Sequence, residues 1–280
     1  MNSISQADTV CGACGCPMQP VNGWVWVCRS CGLEASSLKS GVGRDVDGLE
    51  ALRKKNFLEI WSQLGRLGDM HGKRLLEVGC AHGWFLESAP DYGIRAIGIE
   101  PVGGDGDIAA KSITVLNGQF PEATSSFENG AFDFLVFNDA FEHLPNPTGA
   151  LAECARLLGN EGQLVINLPM NTGIMYRVAK ALHALGWPMP YERLWQKSYP
   201  SPHLFYHSEK SIVRMVGESI GFSLRQQWPI HAIVLEGLWA RIRSGVDSPF
   251  MAAVVYAGCV LFVFTEKILP PDIKVFVFGR

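Results

Sequence analysis

The run Arg74-Leu-Leu-Glu-Val78 delivers the chain straight into Glu77-Val-Gly79-Cys-Ala81-His-Gly83, and no other stretch restricts the fold so tightly. An apolar strand that ends in closely spaced glycines and then opens a helix is the first half of a βαβ unit, with the glycines supplying a sharp turn and close backbone approach to a ligand. The same alternation continues downstream. Strands are predicted at Ile94 to Ile99, Ile113 to Leu116, Phe132 to Phe137 and Gln163 to Leu168, with a helix from about Thr148 to Leu158. Strands separated by helical stretches predict an α/β fold, a Rossmann-like doubly wound sheet with helices on both faces. A chain of 280 residues that is 48% hydrophobic has the means to bury such a core. In these sheets ligands bind at the carboxyl ends of the strands, where the strand order reverses.

The spacing after the first strand reads ExGxAxG, and a second acid, Glu100, ends the next strand. A strand-end carboxylate at that point is placed to accept hydrogen bonds from ribose hydroxyls.

Three ordered segments carry a resemblance: Leu75-Leu-Glu-Val-Gly-Cys-Ala-His-Gly-Trp-Phe85, Gly98-Ile-Glu100-Pro, and Phe132-Asp-Phe-Leu-Val-Phe-Asn-Asp-Ala-Phe-Glu-His-Leu-Pro145. Together they resemble the class I S-adenosylmethionine-dependent methyltransferases, in particular the small-molecule branch with a Glu-His-Leu motif after the fourth strand. The likeness covers about Arg74 to Pro169, with His203-Leu-Phe-Tyr-His207 and the helix that follows as a weaker continuation. It implies a seven-stranded sheet, S-adenosylmethionine as cofactor, and a methyl group moved to an acceptor nucleophile. By position it implies that Glu77, Gly79, Ala81 and Gly83 bind the cofactor, the last three against its methionine part. Glu100 would hold the ribose hydroxyls, Gln119 and Phe120 the adenine, and Asn138 with Asp139 would lie near the sulfonium. Two departures stand out, Ala81 for a usual glycine and Gln119 where Asp is common. Gly103, Gly104 and Gly106 suggest a stunted helix after Glu100.

A sulfonium is already a strong electrophile, so the protein's main tasks are alignment and exclusion of water. An acceptor hydroxyl or carbon acid also needs a base. His143, just past the fourth strand, is the candidate because neutral imidazole takes a proton near pH 7. The competing reading is that it bonds backbone at a helix start, and His203 and His207 are lesser candidates. The stretch at about 170–207 interrupts the α/β rhythm and reads as an acceptor lid. It carries Arg177, Lys180, Arg193 and Lys197 against Glu192, with Trp187, Tyr191 and Trp195 at steps of four. Cations beside aromatic faces suit a phosphate-bearing or lipid-linked acceptor; the alternative is that the aromatics pack the lid onto the domain.

Cys11-Gly-Ala-Cys14-Gly and Cys28-Arg-Ser-Cys31-Gly are two knuckles that together offer a tetrahedral Cys₄ shell, as in a zinc ribbon. Four protein ligands leave no open position, so Cys11, Cys14, Cys28 and Cys31 are expected to hold a structural zinc; Cys16 is a spare or a substitute for Cys14. The expected organisation is a ribbon over 1–36, a Ser/Gly-rich linker over 37–48, and the α/β domain over 49–280. The ribbon lacks basic clusters and the net charge is -3, which gives no electrostatic reason to bind nucleic acid. Met1 to Val10 lacks the features of a secretory signal, so a cytoplasmic protein is expected. The apolar stretch Met251 to Val263 is at the short edge of a membrane span and is interrupted by Gly258. A helix packed on the sheet is the expectation, with peripheral membrane contact through an exposed apolar face as the alternative. Three functions therefore compete: methyl transfer to the oxygen or carbon of a small-molecule acceptor (sugar, lipid-linked or polyketide-like), ribosomal RNA base methylation, and a non-catalytic zinc-ribbon adaptor.

Overall fold

The computed structural model describes residues 10–41, 43, 48–101, 113–243 and 246–280. Three short strands come first, β1 (Gln19–Pro20), β2 (Val25–Val27) and β3 (Glu34–Ser36), followed by helix α1 (Glu50–Gly65). Then β4 (Arg74–Val78), the one-turn helix α2 (Trp84–Glu87), β5 (Arg95–Glu100), β6 (Thr114–Asn117) and β7 (Phe132–Asn138) lead to helix α3 (Pro147–Leu157) and β8 (Leu158–Pro169). Helices α4 (Ile174–Ala184) and α5 (Met189–Leu194), strand β9 (Phe205–Tyr206), helix α6 (Glu209–Ile220) and strand β10 (Ser223–Ile230) come next. Helices α7 (Leu238–Arg243) and α8 (Pro249–Thr265) and strand β11 (Ile273–Gly279) complete the described chain.

Seven strands form one sheet in the order β10-β11-β8-β7-β4-β5-β6. Pairings from β6 through β8 are parallel, and β11 is inserted antiparallel between β8 and β10. The doubly wound arrangement read from the sequence is therefore present, closed by one reversed strand. The central strands are apolar on both sides because both faces are covered. On one face α1 buries Phe57, Ile60, Trp61 and Leu64, with Trp61 stacked on Phe85 at 4.3 Å. On the other face, α3 and α6 contribute Leu151, Cys154, Ile212 and Met215 to a cluster that includes Leu76, Phe137 and Ile166. Both helices begin at side-chain caps. Asn146 accepts from the Gly149 amide at 3.0 Å, and Ser208 forms a reciprocal box with Ser211.

The cysteine-bearing segment is joined to the rest rather than hung from it. Strand β3 pairs with β9, so the small sheet has four strands, β1-β2-β3-β9, the last supplied by the end of the segment expected as a lid. Cys11, Cys28, Cys31 and Leu33 belong to the same apolar cluster as the sheet residues Leu76 and Phe137.

Helix α8 departs from the expectation of a helix packed on the sheet. Only Ala252 is buried along it, against Ile233, Leu238 and Ile242 around α7, while Phe250, Val254, Leu261 and Phe264 are exposed. The sheet faces are already occupied, so this late helix docks on a satellite cluster. Among the described residues, no helix is long and apolar enough to cross a membrane. The glycines expected to stunt the helix after Glu100 lie outside the described residues.

Candidate active site

The strand order reverses between β4 and β7, and a cavity of about 970 Å³ opens beside their carboxyl ends. Its volume is at the upper end of the roughly 300–1,000 Å³ of ligand pockets, enough for two small molecules side by side.

The loop after β4 shapes one wall. Gly79, Ala81 and Gly83 have φ of 72°, 45° and 72°. A Cβ at Gly79 would stand 2.9 Å from the Ala140 Cβ, so only glycine lets the loops after β4 and β7 approach. Ala81, where a glycine is usual, accepts the left-handed conformation with its amide donating to Glu100 Oε2 at 2.9 Å. That bond ties the glycine loop to the end of β5. Gly79, Ala81, Glu100, Gln119, Phe120, Asn138, Asp139 and His143 all line the cavity.

Glu77 and Gly83 do not. Glu77 is fully enclosed behind the loop, where Asn138 Nδ2 donates to its Oε1 at 2.8 Å and its Oε2 has no partner. Burial pushes its carboxyl up to about 8; the bond from Asn138 and the Arg53 guanidinium oppose that rise, and Glu100 adds to it. Gly83 caps the start of α2, where a side chain's Cβ would collide with Ile113. Arg53, on α1, faces Asp139 Oδ2 at 3.7 Å. No motif announced it, because it reaches the site from a helix preceding the whole βαβ region.

His143 sits in the turn Phe141–His143 after β7. Its Nδ1 lies 2.9 Å from the Pro202 carbonyl, which can only accept, so Nδ1 carries the proton and Nε2 is the acceptor nitrogen. Ser201 Oγ is also near, at 3.3 Å from Nδ1. His203 stands beside His143 with ring centroids 4.7 Å apart and lines the cavity too. Burial first, and then the neighbouring His143, hold its imidazole well below the ordinary range. His207 is elsewhere: it is fully buried against Ser211 and the Phe141 ring, outside the cavity lining.

Helices α4 and α5 form the far wall, with Tyr176, Val178, Ala179, Leu182, Met189 and Arg193 facing the cavity. Of the spaced aromatics, Tyr191 and Trp195 point away from it, into a cluster with Trp24 and Val25. Glu34, 4% exposed, anchors that cluster: it accepts from Tyr176 Oη at 2.8 Å and from Lys180 Nζ at 2.8 Å. Lys197 pairs with Glu192 and lies over the Trp24 ring. The cations and aromatics at 170–207 thus mainly fasten this segment to the cysteine-bearing sheet, because residue Glu34 there needs buried partners. Arg193 is the cation among them that reaches the cavity.

Cys11, Cys14, Cys28 and Cys31 bring their sulfurs within 4.8 Å of one another, with pairs at 3.5 Å and 3.4 Å. These spacings approach the roughly 3.8 Å edges of a ZnS₄ tetrahedron with bonds of about 2.3 Å. Four thiols buried or half-buried around a common centre fit a closed zinc shell; Cys16 stays outside the group.

The family profile described as "Methyltransferase domain" matches residues 51–227 of the chain. Curated relatives include the ubiquinone biosynthesis O-methyltransferase of Xanthomonas oryzae pv. oryzae, 29% identical over 124 residues, which are 40% of this chain and 49% of that protein. The enzyme of the same name from Sodalis glossinidius is 28% identical over 128 residues, 43% of this chain and 51% of that one. The chain thus spans about half the length of the curated relatives it matches. Similar solved structures include an S-adenosylmethionine-dependent methyltransferase from Archaeoglobus fulgidus, with a TM-score of 0.50, 18% identity, and coverage of 83% of this chain and 97% of that one. Another is phosphoethanolamine N-methyltransferase 2 of Haemonchus contortus, with a TM-score of 0.53, 16% identity, and coverage of 80% and 52%. At such identities the structural likeness speaks for the fold.

Proposed function

The chain belongs to the methyltransferase domain family, and from that premise we propose that it transfers a methyl group from S-adenosylmethionine to an oxygen or carbon of a small-molecule acceptor. The observation that carries this reading is the convergence of the glycine loop, the Glu100 carboxylate and His143 on one cavity large enough for cofactor and acceptor together.

S-adenosylmethionine, when bound, supplies an electrophilic methyl group. The chain's residues do the rest. Glu100, already holding the Ala81 amide, accepts from ribose hydroxyls; Gln119 and Phe120 bracket the adenine; Asn138 and Asp139 line the sulfonium end. Glu77 supports Asn138 from behind and is a positioning residue. His143 Nε2 takes the proton released as the acceptor's oxygen or carbon forms its bond to the methyl carbon and the sulfur–methyl bond breaks. Closure by α4 and α5 excludes water.

We infer a lipid-linked or otherwise partly apolar acceptor. The cavity wall includes Ile233, Leu238, Ile242, Val255 and Cys259, and a smaller apolar cavity of about 240 Å³ shares Ile233, Val255 and Cys259 with it. The relatives named for ubiquinone biosynthesis agree with such an acceptor. The exposed apolar side of α8 adjoins this wall and would bring the protein to a membrane surface. A structural zinc on Cys11, Cys14, Cys28 and Cys31 would hold β3 in place for β9, and through it the wall of the cavity.

Calorimetric titration of S-adenosylmethionine and S-adenosylhomocysteine tests the reading, with Glu100→Ala as control. Micromolar binding that the variant loses is expected. A folded protein that takes up neither ligand would leave only the adaptor reading.

A further inference from the structure

Helix α8 is apolar on two sides. Phe250, Val254, Leu261 and Phe264 are exposed on one. On another, Val255, Gly258, Cys259 and Phe262 follow the i, i+3, i+4, i+7 spacing of a helix face and line the smaller cavity of about 240 Å³. Met175 and Val178 of α4 line it from the opposite side, and none of the described residues around it bears a charge. Met175, Val178, Ile233, Val255 and Cys259 also line the main cavity, so the two spaces meet along this wall. Gly258 and Phe262 belong to the smaller one alone, which makes it a slot leading out of the main cavity between α4 and α8. Helix α4 leaves β8 and α8 leads to β11, both on the side of β7 away from β4 and β5. The slot therefore extends the acceptor side of the cavity, not the side of the glycine loop and Glu100.

Two observations call for an occupant. Val178 and Val255 line both spaces and yet stay 50% and 38% exposed, apolar surface that a hydrocarbon would cover. Gly258 is the second. An interior glycine weakens a helix relative to alanine. Neither positive φ nor a close neighbour requires one here, because a Cβ at this position would meet no atom within 4 Å. What glycine secures at position 258 is empty space in the slot. An apolar cavity of about 150 Å³ already accepts benzene, so this one has room for a longer hydrocarbon. From Val255 to Phe262 the helix advances about 10 Å, at roughly 1.5 Å per residue. With carbon–carbon bonds of about 1.5 Å, a zigzag chain advances roughly 1.25 Å per carbon, so the slot matches on the order of eight carbons.

We propose that the acceptor carries a hydrocarbon chain of this length, that the slot between α4 and α8 takes the chain, and that Gly258 sets how long a chain fits. The reacting oxygen or carbon stays in the main cavity while the chain passes between Val178 and Val255 toward Phe262. The α8 residues of the slot lie outside residues 51–227, so this specificity belongs to the C-terminal part of the chain and not to the matched methyltransferase domain. Binding of the chain stands on the slot alone; the chemistry of its head rests on the proposed methyl transfer.

The test is calorimetric titration of the full chain with 4-alkylphenols from ethyl to decyl, with and without S-adenosylhomocysteine; the phenol hydroxyl stands for the acceptor oxygen. Affinity should rise about fourfold per methylene as the chain is buried, then level off once the slot is full. Gly258→Phe should bring the plateau to a shorter chain, weakening the octyl compound at least about tenfold and leaving the ethyl compound within about twofold. Val178→Phe narrows the slot from the α4 side and repeats the test should the first variant not fold, which thermal unfolding checks for both. Affinity that ignores chain length overturns the proposal, as does a gain equal in wild type and both variants. A gain lost on replacing Phe250 and Phe264 with Ser but kept in Gly258→Phe puts the chain on the outer face of α8 and overturns it too. A chain-length gain that Gly258→Phe removes, in a folded protein that takes up no S-adenosylhomocysteine, retains the slot and refutes the proposed function instead. Methyl transfer to a short hydroxyl acceptor, with no gain from a longer chain, does the reverse.

Discussion

Glu77 is a buried carboxyl whose energetic demand on the fold can be worked out. Its carboxyl is wholly buried, and its ionisation is raised from an ordinary 4.5 to about 8 by burial. The native state therefore binds a proton that the unfolded chain releases above 4.5. Linkage gives the sign: this group's contribution to stability is fully present below 4.5 and is lost as the pH rises through about 8. At about 1.4 kcal/mol per pH unit the full loss is on the order of 5 kcal/mol, and between pH 6 and pH 8 it is roughly 2 to 3 kcal/mol. Glu77→Gln keeps the oxygen that accepts from Asn138 and removes the titration. Urea unfolding of the ligand-free protein at pH 6, 7 and 8 should show wild type losing stability relative to the variant by that amount, a difference that closes as the pH falls. Wild type and Glu77→Gln curves that run parallel across this range would refute the assignment of a neutral, buried Glu77.

Glu34→Ala should cost about 3 kcal/mol, because it takes the carboxylate acceptor from the buried Tyr176 hydroxyl, leaving it the Tyr191 hydroxyl at 3.1 Å, and removes the partner of Lys180; a fall of roughly 5–10 °C in Tm by calorimetry is the expected reading, and an unchanged Tm would show that α4 is not fastened through this residue. Mass spectrometry of the native protein should find one zinc per chain bound by the four cysteines, and stripping it or making Cys28→Ser should speed amide exchange at Glu34–Ser36 and Phe205–Tyr206 together, since these strands pair. His143→Asn should lower kcat by about 10² to 10⁴ while leaving S-adenosylhomocysteine affinity within about twofold; equal losses in both would assign the ring a structural role. Replacing Phe250 and Phe264 on α8 with Ser should abolish sedimentation with phosphatidylglycerol-containing vesicles while leaving the fold intact, because both rings are exposed and contribute no core.

Much of the architecture is local information. Apolar strands alternating with helices, the glycine turn after β4 and the paired cysteine knuckles are each set by neighbouring residues, so they were legible in one dimension. Gly79, Ala81 and Glu100 were candidates from the spacing after the first strand and His143 from its place after the fourth, and all four line one cavity. Glu77 and Gly83 belong to the same motif, yet they serve behind and beside the cavity, because alternation along a strand sends Glu77 inward and a helix start consumes Gly83. Arg53 reaches Asp139 from α1, Glu34 bonds Tyr176 across 142 positions, and Glu142 meets His203 only where the chain returns after α5. Periodicity cannot encode such meetings, since they depend on which faces the sheet leaves open and on how the loops close over its carboxyl edge. The same rule decided α8: its apolar character was plain in sequence, but its outward face was settled by a sheet whose two sides were already covered.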